Sequence, residues 1–194
     1  MKEVENLDQV IDFHSKDLIG HILVPFMKSN PELNTTELAH TLGVTQSLIS
    51  KIRTNKATFH FDDLPNLFNS VEGCVGVDEF KIEMLHQFTN GFVPPLPDYQ
   101  NVSTDLTSLS SRVMEEMQQS IAALHDALDE FSDPSSSTTL DNIQDPEQAF
   151  KQLYDVVRYA LALMAIITNN YQLGWTDVAQ QREAEIKQSH EHMI

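Results

Sequence analysis

Apolar residues recur at helical spacing along most of the chain, and this pattern predicts an all-α protein. In the first half it predicts five short helices between Ser15 and Phe88, preceded by a leader over residues 1–13. Three prolines then fall within the four positions 94–97, where they cannot continue a helix and favour a stiff extended segment. We therefore predict a five-helix domain over 1–91, a linker over 92–103 and a second domain over 104–194.

The second half is predicted to contain a long helix from Asp105 to about Phe131, with the apolar spacing typical of a coiled coil. A second helix follows it, and a third, mostly polar helix begins at Thr176 and is anchored by Val178 and Ile186. The predicted fold class is thus an N-terminal five-helix domain joined to a C-terminal three-helix, coiled-coil-like domain.

The second of these C-terminal helices is apolar on nearly all sides between Phe150 and Tyr171. A helix of this kind is covered on most sides, and two other helices in a small subunit scarcely supply that cover. We therefore expect a homodimer formed through the C-terminal half. The alternative is that these apolar positions are buried wholly within their own subunit. The expected dimer interface consists of Met117, Ile121, Leu124, Leu128, Val157, Leu161 and Met164.

The segment from Asn34 to Ile52 predicts two short helices joined by a tight turn. Asn34 and Thr45 belong to the residue types that cap helix N-termini through a side-chain oxygen. Gly43 stands between the helices, where its tolerance of positive φ permits a sharp turn. Ala39 is small enough for two crossing helices to pack closely at that position.

The pattern within this segment consists of Leu38-Ala39, Leu42-Gly43-Val44-Thr45-Gln46-Ser47 and Ile49-Ser50, with Ile52 closing the apolar side. It resembles the helix-turn-helix of the phage-repressor-like (Cro/XRE-type) family, and the resemblance extends over about residues 15–90. The resemblance implies a five-helix domain whose second motif helix enters the major groove of double-stranded DNA. The alternative is a generic helical hairpin that uses the same glycine. The C-terminal half resembles no family that we recognise.

The resemblance also implies which side chains contact DNA. Glutamine can bond adenine at two points, lysine can donate to guanine, and serine is permissive. The implied base contacts are Gln46, Ser47, Ser50 and Lys51. The implied phosphate contacts are Thr35, Thr45, Arg53, Asn55 and Lys56.

Two positions depart from the family's pattern. Arg53 stands where the family often has an acidic residue, so it cannot make the same internal ion pair, and we expect it to face a phosphate instead. Asn55 stands where a glycine is usual. Asparagine tolerates the left-handed conformation better than most residues, so the turn is expected to be kept.

The net charge of −17 is the main objection to DNA binding, since nucleic-acid binders usually show a basic surface. The charge is uneven, with −6 over residues 1–91 and −11 over residues 92–194. No acidic residue lies between Leu38 and Phe61, a stretch that contains Lys51, Arg53 and Lys56. Because phosphate contacts depend on the field within a screening length of about 8–10 Å, we expect weak non-specific binding and steep salt dependence.

Other chemistry finds little support in the sequence. A single cysteine, Cys74, excludes an internal disulfide framework and fits a reducing compartment. No phosphate-binding glycine loop, HExxH motif or paired-cysteine spacing is present, so we expect no enzyme activity, metal or cofactor. The N-terminus is polar, and the most apolar run, the nine residues from Tyr159 to Ile167, is too short to span a bilayer. We expect a cytoplasmic protein with no membrane partner.

These expectations combine into a sequence-specific, dimeric transcription regulator, a repressor of phage or prophage type that binds a palindromic operator. The alternative is a protein-binding module (an adaptor, an antirepressor or an antitoxin) that has the fold without strong DNA binding, and the overall acidity favours it. A third, weaker hypothesis is an all-α nucleotide hydrolase, which would need carboxylates that face each other across helices. The acidic residues available for it are Glu115, Glu116, Asp126, Asp129 and Glu130.

Overall fold

The computed structural model describes residues 19–98, 105–132 and 143–191, which form nine α-helices and one 3₁₀ turn, without a β-strand. The all-α prediction is therefore confirmed for this part of the chain. The predicted leader over 1–13 and the predicted helix start at Ser15 lie outside the described residues. The chain divides into two compact units, unit 1 (Met1–Cys74) and unit 2 (Val75–Ile194).

Unit 1 contains the first four helices and the 3₁₀ turn, Phe61–Asp63, which leads directly into the fourth helix. The core is formed by large side chains from all four helices, of which Leu23, Leu38, Ile49, Ile52 and Leu67 are almost completely buried. The helices are α1 (Gly20–Ser29), α2 (Thr35–Thr41), α3 (Gln46–Arg53) and α4 (Leu64–Ser70).

Unit 2 contains the other five helices. The predicted long helix ends at Asp126 rather than near Phe131. Ala127, with φ −82° and ψ 0°, is its C-cap, and a short helix then begins at Leu128. The helices are α5 (Val77–Phe88), α6 (Leu106–Asp126), α7 (Leu128–Ser132), α8 (Gln144–Tyr171) and α9 (Trp175–Glu191).

The boundary between the compact units falls between Cys74 and Val75, earlier than the linker predicted over 92–103. The reason is that α5 packs on α8. The hydroxyl of Thr168 donates a 2.6 Å hydrogen bond to the buried carboxylate of Asp78, and the Asn169 amide donates a 2.8 Å bond to Glu79. These contacts join residues 90 positions apart in the chain, so they could not be predicted from the periodicity of apolar residues within one helix.

The described part of the proline-rich segment, up to residue 98, packs within unit 2 and is not a free linker. Leu96 packs against the apolar cluster between α6 and α8. The Arg158 guanidinium donates to the carbonyl of Pro95 at 3.2 Å, and the Tyr154 hydroxyl donates to the carbonyl of Gly91 at 3.0 Å. Proline offers a carbonyl but no N–H, so side-chain donors on α8 suit this segment well.

The helices α6 and α8 form an antiparallel hairpin. The start of α6 packs against the second half of α8, while the end of α6 packs against the start of α8. Small residues fill the half of this seam at the end of α6, and larger ones fill the other half. The buried residues are Leu109, Val113, Glu116, Ser120, Ala123 and Ala127 from the α6 side and Ala149, Tyr159 and Ala162 from α8.

The sequence predicts that the acidic residues of α6 lie on a solvent-exposed face of the helix. Glu116 is an exception, because it is buried. Its carboxylate is buried in the seam and pairs with Arg112 at 2.6 Å. The Arg112 guanidinium also lies over the Tyr159 ring, 5.1 Å from its centroid. Glu116 is therefore used inside the protein, where a buried charge requires such a partner.

Large apolar side chains lie on one side of this hairpin. On α6 they follow the seam residues by one position, as Met117 follows Glu116 and Ile121 follows Ser120. Because the two helices are antiparallel, residues that follow the seam by one position point to the same side of the hairpin on both helices. We call this surface the apolar face, and it consists of Met114, Met117, Ile121, Leu124, Leu128, Phe150, Leu153, Val157, Leu161 and Met164.

The opposite side of the hairpin is polar. A groove of about 290 Å³ runs along it between α6 and α8, with Ala122 and Ala123 at its base. The polar side chains that line it are Gln119, Asp126, Asp145, Gln148 and Gln152. The two sides of the hairpin thus differ sharply in chemistry.

In the last helix, α9, Trp175 is half-buried and residues 176–189 are exposed. Val178 and Ile186 are 48% and 41% exposed, so the prediction that they anchor this helix is wrong for the described chain. Among the described residues, no helix is long and apolar enough to cross a membrane.

Candidate nucleic-acid interface

Side-chain caps and a left-handed glycine position α2 and α3, as the sequence predicts. The Asn34 side-chain oxygen accepts hydrogen bonds from the backbone N–H groups of Thr36 and Glu37 at 2.9 and 3.0 Å. The Thr45 hydroxyl accepts from the N–H of Leu48 at 3.2 Å and caps α3. Gly43 has φ +65°, which confirms the predicted sharp turn between the two helices.

The inner sides of the two helices determine which side of α3 faces outward. Ala39 of α2 and Ile49 and Ile52 of α3 are buried. With its apolar side held in the core, α3 cannot rotate about its axis without exposing these residues to water. The opposite side of α3 is thereby held at the surface of unit 1.

All four predicted base contacts lie on this outward side. Gln46, Ser47, Ser50 and Lys51 are exposed, and none of them is covered by the described part of the chain. They occupy the first two turns of α3, at positions 1, 2, 5 and 6 of an eight-residue helix. A helix that enters a major groove meets base edges with the residues of this end.

Gln46 is held by a residue that the sequence does not single out. Its amide nitrogen Nε2 donates a 2.9 Å hydrogen bond to the hydroxyl oxygen of Thr36 on α2. The second N–H of that amide and its carbonyl oxygen are the two groups that a bidentate contact to adenine requires. The cap at Asn34 places Thr36 in the first turn of α2. The contact between Thr36 and Gln46 could not be predicted from helical spacing, because the two residues are ten positions apart and lie on different helices.

The structure brings two predicted phosphate contacts together. Nη1 of Arg53 donates a 2.7 Å hydrogen bond to the hydroxyl of Thr35, and the Arg53 side chain is half-buried. Its Nε is buried, and no partner for it is found among the described residues. Arg53, which stands where the family's pattern often has an acidic residue, is thus positioned against the first turn of α2.

Asn55 serves the packing of unit 1. Its φ of +53° confirms the predicted left-handed conformation. Its side-chain oxygen accepts a 2.8 Å hydrogen bond from the N–H of Gly20, the first residue of α1. That oxygen is therefore engaged within the protein, which leaves the amide nitrogen as the side-chain group available to a phosphate. Gly20 itself has no room for a side chain, since a Cβ would lie 2.5 Å from that oxygen.

The other two predicted phosphate contacts lie at the ends of α3. The Lys56 side chain is exposed, and its backbone N–H donates a 2.7 Å bond to the carbonyl of Lys51, which closes the end of α3. Thr45 is exposed at the other end, where its hydroxyl serves as the cap.

The charge of unit 1 differs from that of the whole chain. Its described residues, 19–74, contain four Lys or Arg and five Asp or Glu, against a net charge of −17 for the chain. Three of the four cations are Lys51, Arg53 and Lys56, within or directly after α3. Most of the negative charge therefore lies outside this surface.

The predicted dimer contacts belong to the apolar face of unit 2. Met117, Ile121, Leu128, Val157 and Met164 are exposed, whereas Leu124 and Leu161 are half-buried. In the part of the chain that the structure describes, these positions are not wholly buried within their own subunit, so that alternative is wrong there. Several residues of the same face were not predicted as contacts, namely Met114, Phe150 and Leu153.

Two other kinds of site, a metal site and a reactive thiol, concern the His, Cys, Asp and Glu side chains among the described residues. No group of three or more His, Cys, Asp or Glu side chains is placed so that it could hold a metal ion. Cys74 is half-buried, and burial, followed by the carboxylate of Glu32, raises the pKa of its thiol, which disfavours the reactive thiolate.

Comparison with protein-family models, with curated proteins and with solved structures found no match.

Proposed function

We propose that this chain is a sequence-specific DNA-binding transcription regulator of the phage-repressor-like class. In this proposal α3 lies in the major groove and unit 1 is the DNA-binding domain. The observation that supports it best is the outward side of α3, where four polar or basic side chains are exposed while the opposite side is locked in the core. A generic helical hairpin would not be expected to combine this exposed polar and basic surface with the absence of acidic residues between Leu38 and Phe61.

Each exposed side chain has a distinct role in the proposal. Gln46, held by Thr36, contacts adenine, and Lys51 donates to guanine. Ser47 and Ser50 are small enough for α3 to approach the base edges closely. The hydroxyl of Thr35, the guanidinium of Arg53 and the ammonium group of Lys56 contact phosphates, which orient the helix without reading sequence.

Binding by this surface should depend strongly on salt. Each phosphate neutralised by a cation changes the slope of log K against log salt concentration by about −0.9. The acidic remainder of the chain weakens attraction to DNA at long range but is screened over roughly 8–10 Å at moderate ionic strength. The proposal is therefore specific binding with low non-specific affinity.

A dimer suits such a regulator, because one domain of this size reads only a few base pairs. Two copies related by a twofold axis double the contacts on a palindromic operator whose half-sites lie about one helical turn apart. In the proposal unit 2 supplies the dimer contacts. The acidity of the chain supports a second candidate, a protein-binding adaptor, antirepressor or antitoxin, for which binding to duplex DNA would be absent.

The experiment is selection from a randomised duplex library with the purified full chain at about 50 mM salt, where phosphate contacts are strong. Gel shifts then compare wild type with Gln46→Ala combined with Lys51→Ala on the selected sequence. The control is Asn66→Ala combined with Lys187→Ala, which also removes one amide and one ammonium group from exposed positions outside α3.

We expect the α3 variant to lose at least tenfold in affinity, since a good bidentate base contact contributes about 1–3 kcal/mol. The control should bind like wild type. Undiminished binding by the α3 variant would refute the groove assignment. If no sequence is enriched and no duplex is bound at low salt, the protein-binding candidate is favoured instead.

A further inference from the structure

We propose that the apolar face of the α6–α8 hairpin binds the same face of a second copy of the chain. Two hairpins related by a twofold axis would then form a four-helix bundle. The inference locates the dimer contacts of unit 2 on one side of the hairpin and enlarges the predicted set with Met114, Phe150 and Leu153. It concerns unit 2 alone and stands whether or not unit 1 binds DNA.

The first observation is the distribution of side-chain size around the hairpin. In the half of the seam where the end of α6 meets the start of α8, the buried side chains are alanine and serine, namely Ser120, Ala123, Ala127 and Ala149. Larger side chains, such as Leu109 and Tyr159, fill only the other half. Beside the alanine half, the large apolar side chains of both helices lie on the outer surface, and Ile121 and Phe150 are both 67% exposed. A hairpin that buried its own best apolar residues would show the reverse order.

The second observation is the area of this surface. Eight side chains of the apolar face are between 41% and 67% exposed. If a large apolar side chain has a surface of roughly 150–200 Å², the face presents on the order of 700 Å². The largest apolar patch on a typical monomer is about 300–600 Å², whereas a standard interface buries about 800 Å² on each partner. The face has the size that a stable dimer requires.

The third observation is charge. No Asp, Glu, Lys or Arg belongs to the apolar face, although the chain as a whole carries −17. Two copies can therefore meet on this side without bringing like charges together. The opposite side of the hairpin is unsuited to self-association, because Asp126 and Asp145 line it and pairing through it would bring the carboxylates of both copies into one interface. Among the two sides, only the apolar face fits a second copy.

The test measures the mass of the full chain in solution by light scattering and sedimentation, without DNA. Wild type is expected at twice the chain mass of 22.0 kDa at micromolar concentrations. The variant Ile121→Glu combined with Val157→Glu places a charge on each helix of the face, and we expect a monomer whose helical content by circular dichroism is unchanged. The matched control, Gln119→Glu combined with Gln148→Glu, adds the same charge to the same helices on the opposite side and should remain a dimer.

A mixing experiment identifies the occupant. A second face variant, Ile121→Lys combined with Val157→Lys, should also be monomeric alone. When it is mixed with the Glu variant, opposite charges meet across the interface, and native mass spectrometry should show a 1:1 heterodimer. For wild type, amide exchange in peptides that cover 114–128 and 150–164 should slow as concentration rises.

Three results would overturn the inference. The first is a wild-type chain that stays at the monomer mass over the whole concentration range. The second is equal behaviour of the face variant and the opposite-side control. The third is a mixture of Glu and Lys variants that gives no heterodimer. Because the mass measurements contain no DNA, failure of the pairing and failure of the proposed DNA binding are read independently.

Discussion

Gln46, the first residue of α3, is joined to Thr36 of α2 by a 2.9 Å hydrogen bond between amide nitrogen and hydroxyl oxygen. The bond joins the two helices through side chains that are both exposed. A glutamine has three rotatable side-chain bonds, and ordering such a side chain costs about 0.5–1.5 kcal/mol when it binds. In the DNA-binding role that we propose, this bond would order Gln46 before it meets a base.

Replacing Thr36 with valine should weaken specific DNA binding by roughly 2–10-fold, since the ordering cost of Gln46 would then fall on the binding step. Valine keeps the branched shape of threonine and removes only the hydroxyl. The measurement is a gel shift on the selected operator, with Thr41→Val on the same helix as control. In a double-mutant cycle, Thr36→Val should have little effect once Gln46 is alanine. Additive losses in that cycle would contradict the positioning role.

Gly20→Ala should destabilise unit 1. A Cβ at this position would lie 2.5 Å from the Asn55 side-chain oxygen and 2.6 Å from the backbone oxygen of Arg53. Backbone at the end of α3 cannot move aside as a flexible side chain can, so a loss of about 1–3 kcal/mol is expected. Because the strain falls on the end of α3, DNA affinity should fall as well.

The control for this substitution is Gly174→Ala. There the Cβ would also meet an oxygen at 2.5 Å, but the oxygen belongs to the flexible side chain of Asp177. Thermal unfolding should show a clear shift for Gly20→Ala and almost none for Gly174→Ala. Equal shifts in the unfolding temperature would mean that the close approach between Gly20 and the end of α3 does not contribute to stability.

Local features of unit 1 could be predicted from the sequence because their causes are local. The caps at Asn34 and Thr45 and the left-handed turn at Gly43 each depend on a few neighbouring residues. The left-handed conformation of Asn55 is predicted from the resemblance to the helix-turn-helix family, which usually has a glycine at this position. Its bond to the N–H of Gly20 is not predicted, because that contact joins residues 35 positions apart.

The seam of unit 2 could not be predicted in the same way. Apolar periodicity along α6 marks Met117 and Ile121, whereas the residues that face α8 are their neighbours Glu116 and Ser120. The pattern of large apolar residues selects the seam correctly at Leu109 and Val113. From Met117 onward it selects the adjacent stripe of the helix, which has the same spacing but does not face α8. The small and polar seam residues give no apolar signal, although close packing of helices requires small side chains.

The seam can be tested with two alanines of similar position in the chain. Ala127 is completely buried between α6 and α8, whereas Ala122 lines the open polar groove. Ala127→Leu should cost about 1–3 kcal/mol, because the added volume has no space in a close-packed seam. Ala122→Leu should be almost neutral in chemical or thermal unfolding. A tolerated leucine at position 127 would show that the helices do not approach as closely as described.

The assignment of α5 to unit 2 depends on the contact between Asp78 and Thr168, two residues 90 positions apart. The Thr168 hydroxyl donates a 2.6 Å bond to the buried Asp78 carboxylate, near the N-terminus of α5. Hydrogen bonds to charged groups contribute about 1.5–3 kcal/mol, and a carboxylate left buried without its donor costs more than the bond itself.

Thr168→Val, which keeps the side-chain shape, should therefore lower the unfolding free energy of unit 2 by about 2–3 kcal/mol. The matched control is Asn169→Ala, which removes the exposed bond to Glu79 at 2.8 Å and should cost less than about 1 kcal/mol. Amide exchange of residues 77–88 provides the local measurement, because loss of the contact should speed exchange in α5 for Thr168→Val and leave it slow for Asn169→Ala. Equal exchange in the two variants would mean that other contacts hold α5 on α8.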